Sequence, residues 1–544
     1  MKEQGREWLP HLSGDIVSEA HGNYLDAYVV ALEGWRRGLT LKWHVKESEK
    51  FEEMRSWFVD TPGQLFTLSS EHRTHYFFRT RGDKVSNEAV DIGKDKERTK
   101  VSLRSKGVVI PEGRKFGRDT SDSTIKKYAE DLQFPLVVKP LDGSFGRGIV
   151  SNIENHLELE AALEYVRGKL NFREVIIERY IPGKEYRIYV VDGQVVGAMN
   201  RIPANIVTDG MHTIKALIDK KNEIRASNPR LVSCPILVNE EVEAFLGKQG
   251  LTLDSIPQPN KTIFLTDKTN ISIGGDPIDV LDEISTEIKE SAVSALKAVP
   301  QLSHGAVDLI VHEDTLQPYI IELNPTANLG GLLYPIKGRA RDIPRAIIDH
   351  YFPETIDDDR ETSTVYFSYD EALIPLKDKT AFRSTLVPFK YEVLHARKHV
   401  LTGTVDDFNF HQWIKAQAFE HDLIGRIETK GNGRIEVIVG GNTVYGLDRF
   451  AESLSQQESA VDFAVSDEAE YNGTIKIGFE IEGEQRELQA QYKENQGKLA
   501  AAERELKKLE KQYNNMLTSR AWKLTSPLRK LTGSVKFLYR NAKR

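Results

Sequence analysis

Apolar and polar positions follow one another along the chain in runs that predict alternating helices and strands. Residues 24–33 and 74–79 form helical and strand-like runs, and residues 95–103 predict a charged helix that stops at Gly107. Residues 107–113 then predict a strand closed by a turn. From there to about Pro353 strands and helices alternate, which is typical of an α/β or α+β domain.

The pattern changes after a short, mostly acidic run at residues 357–360, which we interpret as a domain boundary. Residues 365–480 predict a second α/β unit, with a strand over 400–405, a helix over 410–421 and a strand over 435–439.

The C-terminal part has two further patterns. Apolar positions from Leu488 to Met516 step by alternating four and three residues, which favours a coiled coil over a single helix packed on the body. Residues 519–544 carry eight Lys and Arg and no acid, with aromatic and leucine side chains between them. Such a segment suits an anionic membrane surface, and it also suits a solvated tail.

Composition limits the class of protein. The 544 residues exceed what one core can hold, and roughly three to four domains are expected. A net charge of −7 argues against nucleic-acid binding. The single cysteine, Cys234, leaves no partner for an internal disulfide. We find no signal core and no apolar run of about 18 residues, so we expect a cytoplasmic protein.

The first candidate for chemistry is a lysine before a glycine-rich loop. The apolar run that ends at Lys139 is followed by a loop that contains Gly143, Ser144, Gly146 and Gly148. Glycines allow close backbone approach, backbone N–H groups can cradle phosphate oxygens, and the lysine adds a positive charge. Taken alone, such a loop also fits an ordinary hairpin.

Two further clusters carry acids and arginines. Glu178 and Glu185 follow an apolar strand and could accept hydrogen bonds from an adenine amino group and from ribose hydroxyls. Arg187 and Arg201 could hold an acyl phosphate or a carboxylate, although for either arginine alone a solvated position is the default.

The fourth cluster predicts a metal site. Residues 305–310 and 319–325 look like adjacent strands of one hairpin, and they bring together Asp308, Glu322 and Asn324. Glu322 and Asn324 are two residues apart and so share one face of a strand. Oxygen donors in small number suit Mg²⁺ held jointly with nucleotide phosphates.

The order of these clusters resembles that of the ATP-grasp family, and it is most similar to the ATP-grasp domain of cyanophycin synthetases. The similarity covers residues 95–352 and includes 95–100, 138–148, 209–214, 251–255 and 270–275. It implies ATP between two antiparallel sheets, one or two Mg²⁺ ions, and a carboxylate activated as an acyl phosphate that an amine captures.

The resemblance also implies a role for each matched residue. Lys96 and Lys139 would contact phosphates beneath the glycine-rich loop, and Arg187 and Arg201 would neutralise the transferring phosphoryl group. The remaining matches would line the adenine pocket (Glu178, Tyr180, Ile181), bind ribose (Glu185) and hold magnesium (Asp308, Glu322, Asn324).

Two departures from that family affect the expected activity. No Gly-x-x-x-x-Gly-Lys-Ser/Thr motif occurs, so the second ATPase module of cyanophycin synthetases should be absent. The segment after Asn324, at 325–331, replaces the usual small turn, so the substrate should differ.

Residues 395–455 resemble an acylphosphatase that has lost its catalytic residues. Asp406, Asp407 and Asn409 stand where the phosphate-binding loop should be, His411 replaces its arginine, and Thr429 replaces the asparagine that orients water. Carboxylates at this place repel phosphate, so we expect no hydrolysis of a simple acyl phosphate.

The predicted fold class is a multidomain α+β and α/β chain with an ATP-grasp fold, a small ferredoxin-like (acylphosphatase-like) domain and a C-terminal coiled-coil helix. Its predicted domains are the N-terminal α/β region 1–93, the ATP-grasp domain 94–353, the acylphosphatase-like domain 365–480, the coiled coil 484–517 and the basic tail 518–544.

The predicted function is an ATP- and Mg²⁺-dependent ligase that joins a carboxylate to an amine, with an amino acid, peptide or uronic acid as substrate. Residues 519–529 resemble a tail of bacterial glycosyltransferases that make surface polysaccharides, which suggests a homo-oligomer at the inner membrane face acting on a surface polymer. The alternatives are a soluble dipeptide or glutathione-type ligase and a non-catalytic, nucleotide-sensing scaffold protein.

Overall fold

The computed structural model describes residues 6–141, 147–356, 364–388, 394–458 and 462–483, together with 499, 502 and 505–510. The chain forms two compact units. The first consists of residues 1–396, 440–448 and 470–478, and the second of 397–439, 449–469 and 479–544.

The helices and strands follow each other in three groups along the chain. The first group is β1 Arg6–Glu7, α1 Asn23–Arg36, β2 Thr40–His44, β3 Leu65–Ser69, β4 Thr74–Phe78, β5 Arg81–Gly82, α2 Asn87–Lys94 and α3 Lys96–Ser105. The second is β6 Gly113–Phe116, α4 Asp122–Leu132, β7 Leu136–Pro140, β8 Val150–Ile153, α5 His156–Leu163, β9 Val175–Arg179, β10 Gly183–Val191, β11 Gln194–Ile202, β12 Asn205–Val207, α6 Ile214–Ala226, α7 Glu240–Lys248, β13 Thr262–Phe264, β14 Asp276–Asp279, α8 Thr286–Lys297, β15 His304–His312, β16 Pro318–Asn324, α9 Gly330–Leu333, β17 Gly338–Arg339 and α10 Ile343–Tyr351. The third is β18 Val365–Tyr366, α11 Tyr369–Lys377, β19 Arg383–Leu386, β20 His395–Gly403, α12 Phe408–Glu420, β21 Ile424–Gly431, β22 Arg434–Gly441, α13 Val444–Glu458, β23 Phe463–Glu470, β24 Ile475–Lys476 and β25 Phe479–Ile481.

A five-stranded sheet, β19-β2-β3-β4-β5, forms the N-terminal layer and packs against α1. Its edge strand β19 pairs antiparallel with β2, so residues 383–386 belong to this layer. This differs from the predicted start of the second α/β unit at residue 365. The other predicted domain bounds stay a prediction.

A small sheet and a large sheet follow, and they carry most of the predicted site. The small sheet has the order β6-β9-β7-β8 and buries its apolar face against α4 and α5 through residues such as Ile125, Val138 and Leu159. The large sheet has the order β14-β11-β10-β15-β16 and packs on α8. The predicted hairpin is confirmed, because β15 and β16 are adjacent and antiparallel, with Asp308 directly opposite Glu322.

Of the two elements predicted for residues 95–113, the structure contains the helix and lacks the strand. The helix is present as α3, and Asp95 caps it by accepting hydrogen bonds from the N–H groups of Glu97 and Arg98. The strand predicted over 107–113 is wrong, since the strand begins only at Gly113. Pro111 has no N–H to donate to a ladder, and the carbonyl of Val109 instead accepts one hydrogen bond from Ile320.

The second unit contains the predicted strands and helix as β20, α12 and β22. The order β20-α12-β21-β22-α13-β23, with the sheet order β23-β20-β22-β21-β25, is the ferredoxin-like arrangement with one added edge strand. The predicted ferredoxin-like fold is therefore confirmed.

The predicted coiled coil and basic tail lie almost wholly outside the described residues. Within 484–544, residues 499, 502 and 505–510 are helical, and the boundary run 357–360 is likewise not described. Among the described helices, none has both the length and the apolar content needed to cross a membrane.

Candidate active site

One carboxylate on the small sheet is shared by two buried lysines. Lys139 on β7 and Glu178 on the adjacent β9 form an ion pair with an Nζ–Oε2 distance of 2.6 Å. Lys100, one turn after Lys96 on α3, contacts the other carboxylate oxygen of Glu178. All three paired side chains are less than 10% exposed, so this end of the sheet holds two cations for one anion.

Burial and mutual repulsion weaken the protonation of these lysines. Burial, together with the nearby charge of Lys96, lowers the pKa of Lys139 to about 8. Burial and the charges of Lys139 and Arg104 lower the pKa of Lys100 to about 6. Lys96 itself donates from Nζ to the carbonyl of Leu141 at 3.0 Å, beside the start of the glycine-rich loop.

Asp308 on the large sheet is held by two arginines. Arg187, its direct neighbour on β10, donates from Nε and Nη2 to the two carboxylate oxygens at 2.8 Å each. Arg201 on β11 lies 3.2 Å from Asp308 Oδ2 and also contacts Glu185. Burial alone would raise the pKa of Asp308, but the two arginines outweigh it and hold the pKa at about 2.

Glu322 is the unpaired acid of the site. Within the described part of the chain it has no hydrogen bond and no ion pair, and its carboxyl faces Asp308 across the hairpin. Burial and the negative charge of Asp308 raise its pKa. The positive charges of Lys96 on α3 and Lys139 on the small sheet act in the other direction and lower the pKa of the same carboxyl. The charged groups of the two sheets therefore converge on one place.

The three predicted metal ligands fit a magnesium ion that nucleotide phosphates help to hold. Asp308 and Glu322 are opposite each other, and Asn324 follows two residues later and lies 3.3 Å from Asp308. Among the described residues no group of three or more His, Cys, Asp or Glu could hold a metal by itself. Two carboxylates and one amide oxygen leave the remaining positions to phosphate and water, as Mg²⁺ prefers.

The predicted nucleotide-base residues lie where the two sheets join. Tyr180 and Ile181 fall in the connection between β9 and β10, and Ile181 is buried. Glu185 contacts Arg201 and the hydroxyl of Thr269. The adenine role of Tyr180 and Ile181 and the ribose role of Glu185 stay predictions. For Glu178, the structure shows a carboxylate that contacts two lysines.

The glycine-rich loop is only partly described. Gly143, Ser144 and Gly146 lie outside the described residues. Gly148 has a φ of +80°, which favours glycine, and a Cβ there would also make a tight contact of 3.2 Å with the ring of Pro140.

Sequence reasoning missed Lys100 and Thr269 as members of this cluster. Lys100 follows Lys96 by four residues, a spacing that places both side chains on one face of a helix, so the signal was present. Thr269 lies 84 residues from Glu185, and no local pattern connects the two.

The residues that stand in place of the acylphosphatase loop in the predicted alignment make hydrogen bonds within the region. Asp407 caps α12 by accepting a hydrogen bond from the N–H of Phe410 at 3.0 Å. His411 donates from Nε2 to the carbonyl of Val405 at 2.7 Å, so its ring is tied to the backbone of the loop. The N–H of Thr429 donates to Glu482. The absence of hydrolysis stays a prediction.

Comparison with known proteins agrees with this geometry. Residues 119–251 match the family model of the ATP-grasp domain of prokaryotic glutathione synthetase, and residues 397–481 match the acylphosphatase model. The chain therefore contains an ATP-grasp domain followed by an acylphosphatase domain.

Two curated relatives and one solved structure extend the comparison. Cyanophycin synthetase from Crocosphaera subtropica is 32% identical over 280 residues, which are 49% of this chain and 31% of the relative. The bifunctional glutathione biosynthesis protein of Enterococcus faecalis is 32% identical over 314 residues, 55% of this chain and 40% of the relative. A bifunctional glutathione synthetase from Pasteurella multocida has 27% identity and a TM-score of 0.42, with coverage of 54% of this chain and 40% of that one. The chain thus spans about a third of the length of the curated relatives it matches.

The lysine cluster predicts proton uptake when ATP binds. At pH 8 Lys139 is about half protonated and Lys100 is almost entirely neutral, because their pKa values are about 8 and about 6. Phosphate charge next to both lysines should raise both pKa values, so we expect about one to one and a half protons to be taken up per ATP at pH 8, measured by titration calorimetry in buffers of different ionisation enthalpy.

A pair of variants identifies the source of that proton. Lys100→Met should lose most of the uptake, whereas Lys126→Met, at a half-exposed position on α4, should keep it. A binding enthalpy that is the same in all buffers for the wild-type protein would contradict the charge assignment.

Proposed function

We propose that the chain is an ADP-forming ligase that uses ATP and Mg²⁺ to join a carboxylate to an amine. The observation that carries this proposal is the convergence of charged groups on Glu322: Lys96 of α3 and Lys139 of the small sheet act on it together with Asp308 and Arg187 of the large sheet. The cations at this place outnumber the nearby acids, and the Glu322 carboxylate has no ion pair among the described residues. Such an arrangement suits a triphosphate with its metal ion.

The residues support two displacement steps. In the first, a substrate carboxylate oxygen attacks the γ-phosphorus, the bond to the bridging oxygen breaks, and ADP leaves. In the second, the amine nitrogen attacks the acyl carbon, the bond to the phosphate oxygen breaks, and phosphate and one proton leave.

Each charged group has a part in the first step that its position supports. Lys96 and Lys139 bind and neutralise the phosphates, and Arg187 and Arg201 offset the charge on the transferring group. Asp308, Glu322 and Asn324 would hold Mg²⁺, which supplies Lewis-acid stabilisation of phosphate oxygens when bound. Asp308 in turn fixes both arginines, so their guanidinium groups need no reorganisation during transfer.

The relatives indicate the class of substrate, and the altered segment 325–331 indicates that the particular substrate differs from theirs. One relative is a cyanophycin synthetase and another makes glutathione, so we favour amino acids or peptides, with a uronic acid as the further candidate. A soluble dipeptide or glutathione-type ligase is the alternative. A non-catalytic scaffold is less compatible with a complete set of charged residues at the site.

We also propose that the enzyme is a homo-oligomer that acts on a bacterial surface polymer or its precursor. The heptad pattern of 484–517 supports self-association, and the basic tail 518–544 supports contact with a membrane. The ferredoxin-like domain would add contact with a partner. Deleting 518–544 should release the protein from vesicles that contain anionic lipid. Vesicle binding that persists unchanged after this deletion would contradict the assignment of membrane contact to the tail.

The ligase reaction predicts ADP release that needs both substrates. We expect release from the full chain with ATP and Mg²⁺ when a panel of amino acids, short peptides and uronic acids is supplied. Lys139→Ala should lower kcat by about 100-fold or more, since it removes one buried cation at the phosphates.

Lys126→Ala is the matched control, because this lysine lies on α4 of the same region and, among the described residues, its ion pair is with the exposed Glu160. Its activity should remain within about twofold of wild type. Equal activity of Lys139→Ala and wild type would sink the site assignment.

A further inference from the structure

The segment that follows the β15–β16 hairpin crosses the face of the large sheet that carries the candidate site. In the paired strands β10 and β11, Arg187 is directly opposite Met199, so both side chains point to the same face. Gly331, in α9, packs on Met199, where an added Cβ would come within 2.7 Å of the sulfur atom. Residues 325–331, which we name the crossing segment, therefore pass from the end of β16 to β11 beside Arg187.

The crossing segment leads to the end of this face that is remote from the predicted ribose position. Along β10 the side chains on the face are Glu185, Arg187 and Tyr189, in that order. Glu185 is the predicted ribose residue, whereas Leu332 of α9 approaches Gly197, which is opposite Tyr189. Phosphoryl transfer is roughly in line, so the acceptor must enter opposite the leaving ADP. The crossing segment therefore borders the side from which a substrate carboxylate would approach.

Asp26, on α1 of the N-terminal layer, holds the middle of the crossing segment with both of its carboxylate oxygens. One oxygen accepts a hydrogen bond from the backbone N–H of Leu329 at 2.8 Å, and the other accepts from the side-chain amide of Asn328. Asn23, three residues earlier on α1, accepts from the same amide at 3.1 Å. Helix α1 thus fixes one main-chain donor and one side-chain donor of the segment.

A carboxylate at this position is costly for stability. Asp26 is 1% exposed, and among the described residues no lysine, arginine or histidine forms an ion pair with it. Burial raises the pKa of Asp26 to about 6, although hydrogen bonds from Leu329 and Asn328 and the charges of Arg230 and Arg79 act to lower it. Asp26 is therefore mostly ionised at pH 7, where both oxygens are acceptors. The cost of burying this charge is understandable if the position of the crossing segment serves the reaction.

We propose that Asp26 is a positioning residue, which holds the crossing segment as a wall of the substrate site beside Arg187. The proposal rests on the proposed ligase function and deepens it, because it assigns one wall of the carboxylate's approach to residues 325–331. In this role Asp26 acts through the backbone of Leu329 and the side chain of Asn328, and not on the reacting atoms. Its loss should weaken use of the carboxylate substrate and leave ATP binding unchanged.

Hydrogen exchange of the full chain, read by mass spectrometry, tests the anchor without any need for turnover. Asp26→Asn keeps one acceptor oxygen, but its amide turns toward a donor of the crossing segment, so one hydrogen bond is lost. Peptides that cover Leu329 should exchange at least about tenfold faster at pH 7, since a hydrogen bond to a charged group is lost. Asn328→Ala removes the same hydrogen bond and keeps the carboxylate, so it should accelerate exchange in the same way.

Two controls separate loss of the anchor from a general loss of stability. Glu33→Gln removes another acid of α1, one that is paired with Arg37, and should leave exchange at Leu329 unchanged. The double variant Asp26→Asn/Asn328→Asp swaps the two groups, so that the amide at 26 donates to the carboxylate at 328. Exchange should then return to within about threefold of wild type, because the two sites are coupled. Unchanged exchange in both single variants, or no recovery in the double variant, overturns the proposal.

ADP release then tests whether the anchor serves the reaction. With a carboxylate that the wild type accepts, Asp26→Asn and Asn328→Ala should lower kcat/KM for that carboxylate at least about tenfold, with KM for ATP unchanged and with recovery in the double variant. Unchanged kinetics, or an equal rise of KM for ATP and for the carboxylate, contradicts a positioning role. No ADP release from the wild type with any substrate would count against the ligase function, while hydrogen exchange would still decide whether Asp26 holds the segment.

Discussion

The position of Asp308 on β15, between β10 and β16 of the large sheet, is the constraint on which the site depends. Cross-strand register places Arg187 on one side of it and Glu322 on the other, and Arg201 reaches it from the next strand. Because the four strands that carry these residues are joined by backbone hydrogen bonds, their backbones cannot shift independently of one another. A shift of one residue in either register would turn Asp308 or its partner to the opposite face of the sheet.

The small sheet places a second constraint on the site, because two buried lysines contact one buried carboxylate, Glu178, at its end. Glu178 neutralises one of the two lysines that contact it, and burial depresses the pKa of both. A protein that only needed stability would replace such a cluster with apolar residues. Its presence, facing an unpaired Glu322, is understandable if a polyanion and a cation complete the charge balance.

The sequence was sufficient for those features that local spacing determines. Glu322 and Asn324 had to share a face of a strand, and the apolar runs around them required a buried hairpin, so the hairpin that carries both residues could be predicted. The strand expected at 107–113 failed because Pro111 prevents regular pairing, which outweighs the apolar pattern. The contact of Asp26 with Leu329 joins residues more than 300 positions apart, and no periodicity reports such a contact. Likewise, the pairing of β19 with β2 depends on tertiary packing and not on the composition of either strand.

The central claim is that the chain activates a carboxylate by phosphoryl transfer, and oxygen labelling tests it most directly. A substrate that supports ADP release would be supplied with heavy oxygen in its reacting carboxylate, and the released phosphate analysed by mass spectrometry. One labelled oxygen should pass to each phosphate, because the bond between the acyl carbon and that oxygen breaks when the amine attacks. Phosphate that contains oxygen from the solvent and none from the carboxylate would contradict it.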